Sequence, residues 1–381
     1  MVKLGEVATY INGYAFKPSD WSNEGLPIIR IQDLTGTSYQ ANKYNGKYDS
    51  KYEINNGDVL ISWSASLGVY SWNKGKALLN QHIFKVVFDK VSVNKDFFVF
   101  QVESLLKKAQ TEAHGATMKH LTKSTFNSLP FYLPSIAEQE IISDKLNKVS
   151  FLIKVKEQQL IKYDEFVKSR FIEMFGNPVL NTKKWNVEKL KNLSIKITSG
   201  NTPKGGSNVY VDEGIMFFRS QNVWKNNLVL NDIAYIDEKT HKKMSDTSLK
   251  HGDILITKTG RINTENSSLG RAALFLGEDG TANINGHVYL VRLSADVQIN
   301  RQFILHILTS DIYRELIRRV CVGGIDKRQL NRNHIEEFPI IMPPIELQEE
   351  FELFVQHTDK SKFECSIYLN LLKTFNFYKD F

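Results

Sequence analysis

Two short runs hold side chains suited to recognising the edges of nucleic-acid bases. Arg30-Ile31-Gln32-Asp33 and Arg219-Ser220-Gln221-Asn222 each combine a guanidinium with a primary amide within four residues. An arginine fork matches the major-groove edge of guanine, and a Gln or Asn amide matches that of adenine. Arg30 and Arg219 could equally be paired with carboxylates of their own scaffold, and the residue types alone leave that open. Gln32, Gln221 and Asn222 are candidates for base contacts alongside them.

Two further segments follow apolar runs that read as buried strands, so they should project outward. Trp63-Ser64-Ala65-Ser66 follows Val59-Leu60-Ile61, and Lys258-Thr259-Gly260-Arg261-Ile262-Asn263 follows Ile254-Leu255-Ile256. Trp63, Ser64, Ser66, Lys258, Thr259, Arg261 and Asn263 are the candidates there. A third pair is Gly115-Ala116-Thr117-Met118-Lys119-His120 and Gly323-Gly324-Ile325-Asp326-Lys327-Arg328-Gln329. Glycine lets a backbone approach a phosphate closely, and a following helix start offers amide donors. Thr117, Lys119, Lys327 and Arg328 are therefore candidate phosphate contacts, although a plain glycine turn before a helix explains the same pattern. His82 and His287 sit inside apolar strands and read as structural. Arg314, Arg318 and Arg319 fall at helical spacing and read as a solvated basic face.

The elements that carry these residues form a repeat. Lys3-Leu4 matches Lys189-Leu190, and Pro27 to Leu34 matches Met216 to Val223. Gly57-Asp58-Val59-Leu60-Ile61 matches Gly252-Asp253-Ile254-Leu255-Ile256, and Ser66-Leu67-Gly68 matches Ser268-Leu269-Gly270. Asn80 to Phe84 matches Asn285 to Tyr289, Gly115 and Leu121 match Gly324 and Leu330, and Leu129 to Pro134 matches Phe338 to Pro343. The matches keep one order at a period of roughly 190–209 residues, too long for a solenoid, so a whole domain is duplicated. Between Ile61 and Ser66 lie four residues; between Ile256 and Ser268 lie eleven. Strands are kept while loops differ, as on a scaffold that presents variable binding loops.

After each copy the pattern becomes helical. From Ser135 to about Phe175 there is no Pro or Gly, and Ile142, Leu146, Val149, Ile153, Lys156, Leu160, Tyr163, Val167, Arg170 and Met174 step by four and three, a heptad rhythm. Ser135 and Glu138 form a capping-box pair, and Gly176-Asn177-Pro178 ends the helix. Leu347, Phe351, Phe354, Thr358, Ser361, Cys365, Tyr368, Leu372 and Phe375 repeat the rhythm. Apolar seams of this length must be covered, and an antiparallel pairing of the two helices would do it. The expected fold is α+β: two homologous mixed α/β domains, residues 1–134 and 177–344, joined and spaced by helices over 135–176 and 345–381 that form an antiparallel coiled coil with pseudo-twofold symmetry.

Composition narrows the function classes. The chain has 381 residues, 42% hydrophobic and 24% charged, with a net charge of +7, which favours a polyanionic partner. No run approaches the roughly 18 apolar residues of a membrane span, no secretory signal is visible at the N-terminus, and the two cysteines form no metal or disulfide pattern. A cytoplasmic protein is expected. There is no P-loop, no Asn-Pro-Pro-Tyr-type methyltransferase signature and no His-Glu-x2-His site; Gly200 to Ser207 lacks the spacing of a phosphate loop.

This arrangement resembles the DNA specificity subunit of type I restriction–modification systems over essentially the full chain. The resemblance rests on the Pro-x3-Pro exits leading to a Gln-bearing helix (Pro130 to Gln139, Pro339 to Gln348), the Gly-Asp-x-Leu-Ile strands, and the junction from Arg170 through Gly176-Asn177-Pro178 to Trp185. The family often carries a short lead before its first domain, as Lys184-Trp185 supplies before the second; here Met1-Val2-Lys3-Leu4 opens directly. The resemblance implies a non-catalytic subunit in which each domain reads half of a split target in double-stranded DNA. It also implies helices that set the gap and dock two methyltransferase subunits, with a restriction–translocase subunit as a further partner. No cofactor is expected on this chain; S-adenosylmethionine is expected on the methyltransferase partner. A coiled-coil scaffold for protein partners and a restriction enzyme with a cryptic nuclease site are the competing readings.

Overall fold

The computed structural model describes residues 1–37, 42–112, 122–262, 264, 266–324 and 327–377. The chain folds as two compact units, Met1–Gln159 with the end of the chain from Cys365, and Leu160–Glu364.

In the first unit an antiparallel sheet runs in the order Thr9–Asn12, Ile83–Val87, Val59–Ser62, Gly68–Ser71. A second sheet runs Lys43–Tyr44, Leu26–Ile29, Ala77–Leu79, Glu53–Ile54, with Leu26–Ile29 and Ala77–Leu79 parallel. Val2–Lys3 pairs with Pro130–Phe131. The second unit repeats this plan. Its first sheet runs Ser194–Ser199, Val288–Leu293, Ile254–Thr257, Ala272–Leu274. Its other sheet contains Ala234–Ile236, Ile215–Phe218 and Ala282–Ile284 in that succession, the last two again parallel. Asn186–Lys189 pairs with Pro339–Met342.

The duplication holds at the level of register. Ile61 faces Phe84 as Ile256 faces Tyr289, Ile29 faces Leu79 as Phe218 faces Ile284, and Lys3 faces Pro130 as Lys189 faces Pro339. The Gly-Asp motif is explained by its geometry. Gly57 and Gly252 take φ of +89° and +85°, a region costly for other residues. Asp58 and Asp253 then accept the main-chain N–H of Asn55 (2.8 Å) and Lys250 (2.7 Å) and pair with Lys85 (3.1 Å) and Arg292 (2.7 Å). One glycine match is corrected. Gly68 faces Ser62, whereas the carbonyl facing Thr257 belongs to Arg271. Ser66 and Ser268 remain equivalent, since Ser62 Oγ and Thr257 Oγ1 donate to their carbonyls. Gly270 is an extra residue at φ +65°, so Gly68 corresponds to Arg271.

The long helices are Ile136–Phe175 and Ile345–Phe377. Ser135 N–H donates to Glu138 Oε2 at 3.0 Å, forming the expected box. All ten expected seam positions of the first helix are half-buried. On the second helix Tyr368 departs from expectation: it is exposed and Leu369 is buried instead. The helices pair antiparallel within each unit. In the first, Cys365 Sγ contacts the Lys156 carbonyl (3.7 Å) and Lys373 pairs with Glu157 (2.7 Å). In the second, Lys362 pairs with Asp164 (2.5 Å), Phe166 meets Phe354 (4.9 Å between centroids) and Arg170 pairs with Glu350 (2.9 Å).

Each long helix is fixed to its own domain by one buried glutamine. Gln139 Oε1 accepts the Asn94 N–H (2.9 Å) while its Nε2 donates to the Pro134 carbonyl (2.9 Å). Gln348 does the same with Asn300 (2.9 Å) and Pro343 (2.8 Å). Asn94 and Asn300 in turn cap the next domain helix through the N–H of Phe97 and Phe303. Gln348→Leu would leave a buried N–H and carbonyl unmet, at about 1–3 kcal/mol each. The expected result is a loss of about 2–4 kcal/mol in denaturant unfolding; a loss under about 0.5 kcal/mol would make the clamp dispensable.

His306 is half-buried against Phe351, centroids 5.0 Å apart, and desolvation of its ring pushes its pKa down to about 4. The unfolded chain takes up this proton first, so stability is complete above about pH 6.5 and is lost as pH falls toward 4. The expected contribution is up to about 3 kcal/mol. His306→Leu should flatten the difference in melting temperature between pH 6.5 and 4.5; a variant with the same pH slope as the parent would refute this.

Candidate nucleic-acid interface

Most candidate residues converge on one edge of each domain, where a row of main-chain bonds joins segments distant in sequence. In the first unit Asn80 N–H donates to the Ile29 carbonyl (3.1 Å), beside Arg30, and Trp63 N–H donates to the His82 carbonyl (3.4 Å). In the second unit Asn285 N–H donates to Phe218 (3.0 Å), Lys258 N–H to His287 (2.8 Å), and Leu330 N–H to Lys258 (2.9 Å). Strand ends and turns gathered in this way form a surface whose side chains can vary without disturbing the sheet.

The second domain builds this edge out further. Thr259–Gly260 pairs with Arg328–Gln329, which pairs with Val322–Gly323. Two segments separate in sequence thus become one three-stranded platform carrying Lys258, Thr259, Arg261, Lys327 and Arg328. Arg261 and Lys327 are exposed, Thr259 and Arg328 half-buried. Lys258 Nζ lies 5.7 Å from the Tyr289 ring centroid, and Arg328 Nη1 donates to the Cys321 carbonyl at 3.4 Å. Asn263, Thr117 and Lys119 lie outside the described residues.

The equivalent first-domain loop points outward only in part. Ser66 is exposed, but Ser64 is buried and Trp63 stacks on Phe84 (5.7 Å) with its edge toward His82 (5.3 Å). By register Trp63 occupies the place of Lys258, so the same position carries a ring in one domain and an ammonium in the other.

Arg30 and Arg219 are held by scaffold groups. Arg219 Nη2 lies 3.1 Å from Asp232 Oδ2, and its guanidinium sits 5.9 Å from the Tyr210 ring. Arg30 lies 3.7 Å from Asp33 and 5.7 Å from the Trp21 ring. Trp21 and Tyr210 are equivalent by register, so an aromatic–arginine pair is repeated in both copies. Gln32 is exposed; Gln221 is exposed and donates to Asp232 at 3.1 Å. Asn222 is buried, caps the Arg219 N–H (3.0 Å) and donates to the Val229 and Asp232 carbonyls (both 3.1 Å). It shapes the loop and has no amide group left to offer a base.

Two structural readings are corrected. His82 and His287 do not lie within strands: each precedes its strand in a turn and is exposed on the candidate edge. Their surroundings are apolar in sequence, which hid the turn; the shared Asn80 and Asn285 two residues earlier was the available signal. Arg314 is not on a solvated face. It is buried and donates to the Leu269 carbonyl at 3.4 Å.

Among the described residues, no group of three or more His, Cys, Asp or Glu could hold a metal ion, and no helix is long and apolar enough to cross a membrane.

Fold and edge together define a duplicated protein with two equivalent edges and paired helices. A family profile described as type I restriction modification DNA specificity domain matches residues 1–163. The type I restriction enzyme EcoBI specificity subunit of Escherichia coli is 24% identical over 378 residues, covering 92% of this chain and 77% of the relative. A putative type I restriction enzyme MjaX specificity subunit of Methanocaldococcus jannaschii is 29% identical over 36% of this chain and 32% of its own length. A solved chain from work on assembly and conformational transition of the type I R-M system superposes with TM-score 0.63 at 15% identity, covering 99% of this chain and 95% of that one. The S subunit from M. genitalium superposes with TM-score 0.50 at 14% identity, over 98% and 92%. Over its first 163 residues by profile, and over most of its length by the Escherichia coli relative, the chain is similar to the DNA specificity subunits of type I restriction–modification systems.

Proposed function

We propose that each domain reads one half of a bipartite DNA target with the edge described above, while the paired helices set the gap between the halves. The carrying observation is the hydrogen-bonded row that recurs at the same edge of both domains but bears different side chains, Trp63 and Ser66 in one, Lys258, Arg261 and Arg328 in the other. Two copies of one scaffold with different edges would read two different half-sites. Phosphate contacts would set orientation, and edge side chains would supply sequence discrimination.

The helices also offer a partner surface. Ile141, Phe151, Ile161, Leu353, Phe363 and Leu371 are all more than half exposed, which is unusual for large apolar side chains on paired helices. Two methyltransferase subunits would cover them, each binding S-adenosylmethionine and performing the transfer, with a restriction–translocase subunit joining the complex. The specificity chain itself would perform no chemistry.

Selection from a pool of random duplexes by the purified protein tests this reading. A split consensus with a fixed gap, and affinity that falls steeply with salt, is expected. A contiguous consensus, or none, would overturn it.

A further inference from the structure

Among the described residues, Lys225, Arg271 and Arg314 gather in the second unit with little negative charge to balance them. Arg271 and Arg314 are 7% and 8% exposed. The Arg271 guanidinium lies 3.7 Å from the Trp224 ring centroid; its Nε donates to the Ser267 carbonyl at 3.0 Å and its Nη2 to the Asn266 carbonyl. Arg314 uses Nη1 on the Leu269 carbonyl. Among the described residues, no carboxylate lies within ion-pair distance of either arginine. Asp311, within electrostatic reach of Lys225 and Arg314, is bonded to Lys168 at 2.7 Å, and Glu315 takes Arg318. Desolvation first holds all three groups below their ordinary pKa values, followed by repulsion from Arg314 for Lys225 and Arg271 and by repulsion from Arg318 for Arg314. Buried like charges facing main-chain carbonyls are relieved by an incoming anion.

The cluster adjoins the recognition edge. Thr257 Oγ1 contacts the Arg271 carbonyl at 3.3 Å, and Ser268 Oγ donates to the Thr259 carbonyl at 2.7 Å. Arg271 therefore holds the loop that closes onto the platform. We propose that Lys225, Arg271 and Arg314 form an anion site that takes a phosphate of the DNA backbone beside the second domain's reading edge. The proposal rests on the DNA-reading assignment above. DNA is favoured over an acidic protein segment because the cluster shares its main-chain supports with the reading loop, where backbone phosphates flank any base contact. With Trp224 covering one face of Arg271, the in-plane donors left over suit an oxyanion. The first domain has Gly68 at the register position of Arg271, so among the described residues this arginine has no counterpart there.

The test uses the full-length protein and a short duplex of arbitrary sequence, with affinity followed by fluorescence anisotropy between about 50 and 200 mM salt. Lys225→Gln and Arg314→Gln should each reduce the slope of log affinity against log salt by about 1. Lys191→Gln, which removes an exposed lysine paired with Glu337 at 2.6 Å, should leave the slope unchanged. Lys225 is exposed, so its variant decides the matter if Arg314→Gln unfolds. Unchanged slopes with DNA binding intact would overturn the anchor and leave the DNA-reading assignment standing. Unchanged slopes with lost binding of a methyltransferase subunit would overturn it in favour of an acidic protein partner. A parent protein that binds no DNA at any salt would overturn both.

Discussion

Seven residues added to each long helix, at the level where Lys156 meets Cys365, should widen the gap in the preferred target by about three base pairs. A heptad adds about 10 Å of helix, and each base pair rises about 3.4 Å. The seam survives the insertion because a heptad returns the apolar positions to the same face. Groove phase does not survive it, since B-DNA turns once in about 10–10.5 base pairs. The single insertion should therefore move the optimum and weaken it. Three heptads, about 32 Å, approach one full turn of DNA and should recover most of the affinity with a gap longer by nine or ten pairs, about one turn. Selection of random duplexes reads both results, and an unmoved gap would exclude the helices as the spacer.

Phe175→Ala should be the most damaging single core change, costing about 3–5 kcal/mol. Phe175 is fully buried at the end of the central helix, with ring centroids of Phe303, Phe171 and Phe351 at 4.8, 5.1 and 5.6 Å. These rings come from both long helices and from domain helix Arg301–Thr309. Removing one leaves a cavity where three elements meet, and neighbouring rings cannot collapse into it without leaving their rotamers. Phe166→Ala is the control. Phe166 is exposed on the helix surface against Phe354, and its loss should cost under about 1 kcal/mol. Denaturant midpoints measure both, and equal losses would mean that the aromatic cluster is not the anchor.

The periodic features were legible in the sequence because they follow backbone geometry. The four–three spacing marked the central seam, Ser135 and Glu138 marked its start, and paired motifs placed the strands. Gln139 and Gln348 stood out as matching residues, though their role as clamps required the partners Asn94 and Asn300 to be seen in space. Failures came where one residue changed a local path. The extra Gly270 moves the register by one, so sequence pattern pairs Gly68 with a glycine while its spatial counterpart is Arg271. The four–three spacing puts Tyr368 in the seam, one residue before Leu369, which fills it. His82 and His287 read as strand residues because apolar neighbours on one side masked a turn on the other. Arg314 shares helical spacing with Arg318 and Arg319, and spacing alone does not reveal which side of a short helix a neighbouring loop will cover. The platform formed by Thr259–Gly260 and Arg328–Gln329 joins segments roughly 70 residues apart, a pairing invisible to local pattern.

Independent reading by the two domains can be measured directly. Lys258→Ala, Arg261→Ala and Arg328→Ala, combined in one chain, strip charge from the second edge while leaving its main-chain ladder intact. Selection of random duplexes by this variant should return one altered half-site, the other half and the gap matching the parent. Changes in both halves, or a target identical to the parent's, would contradict division of the target between the domains.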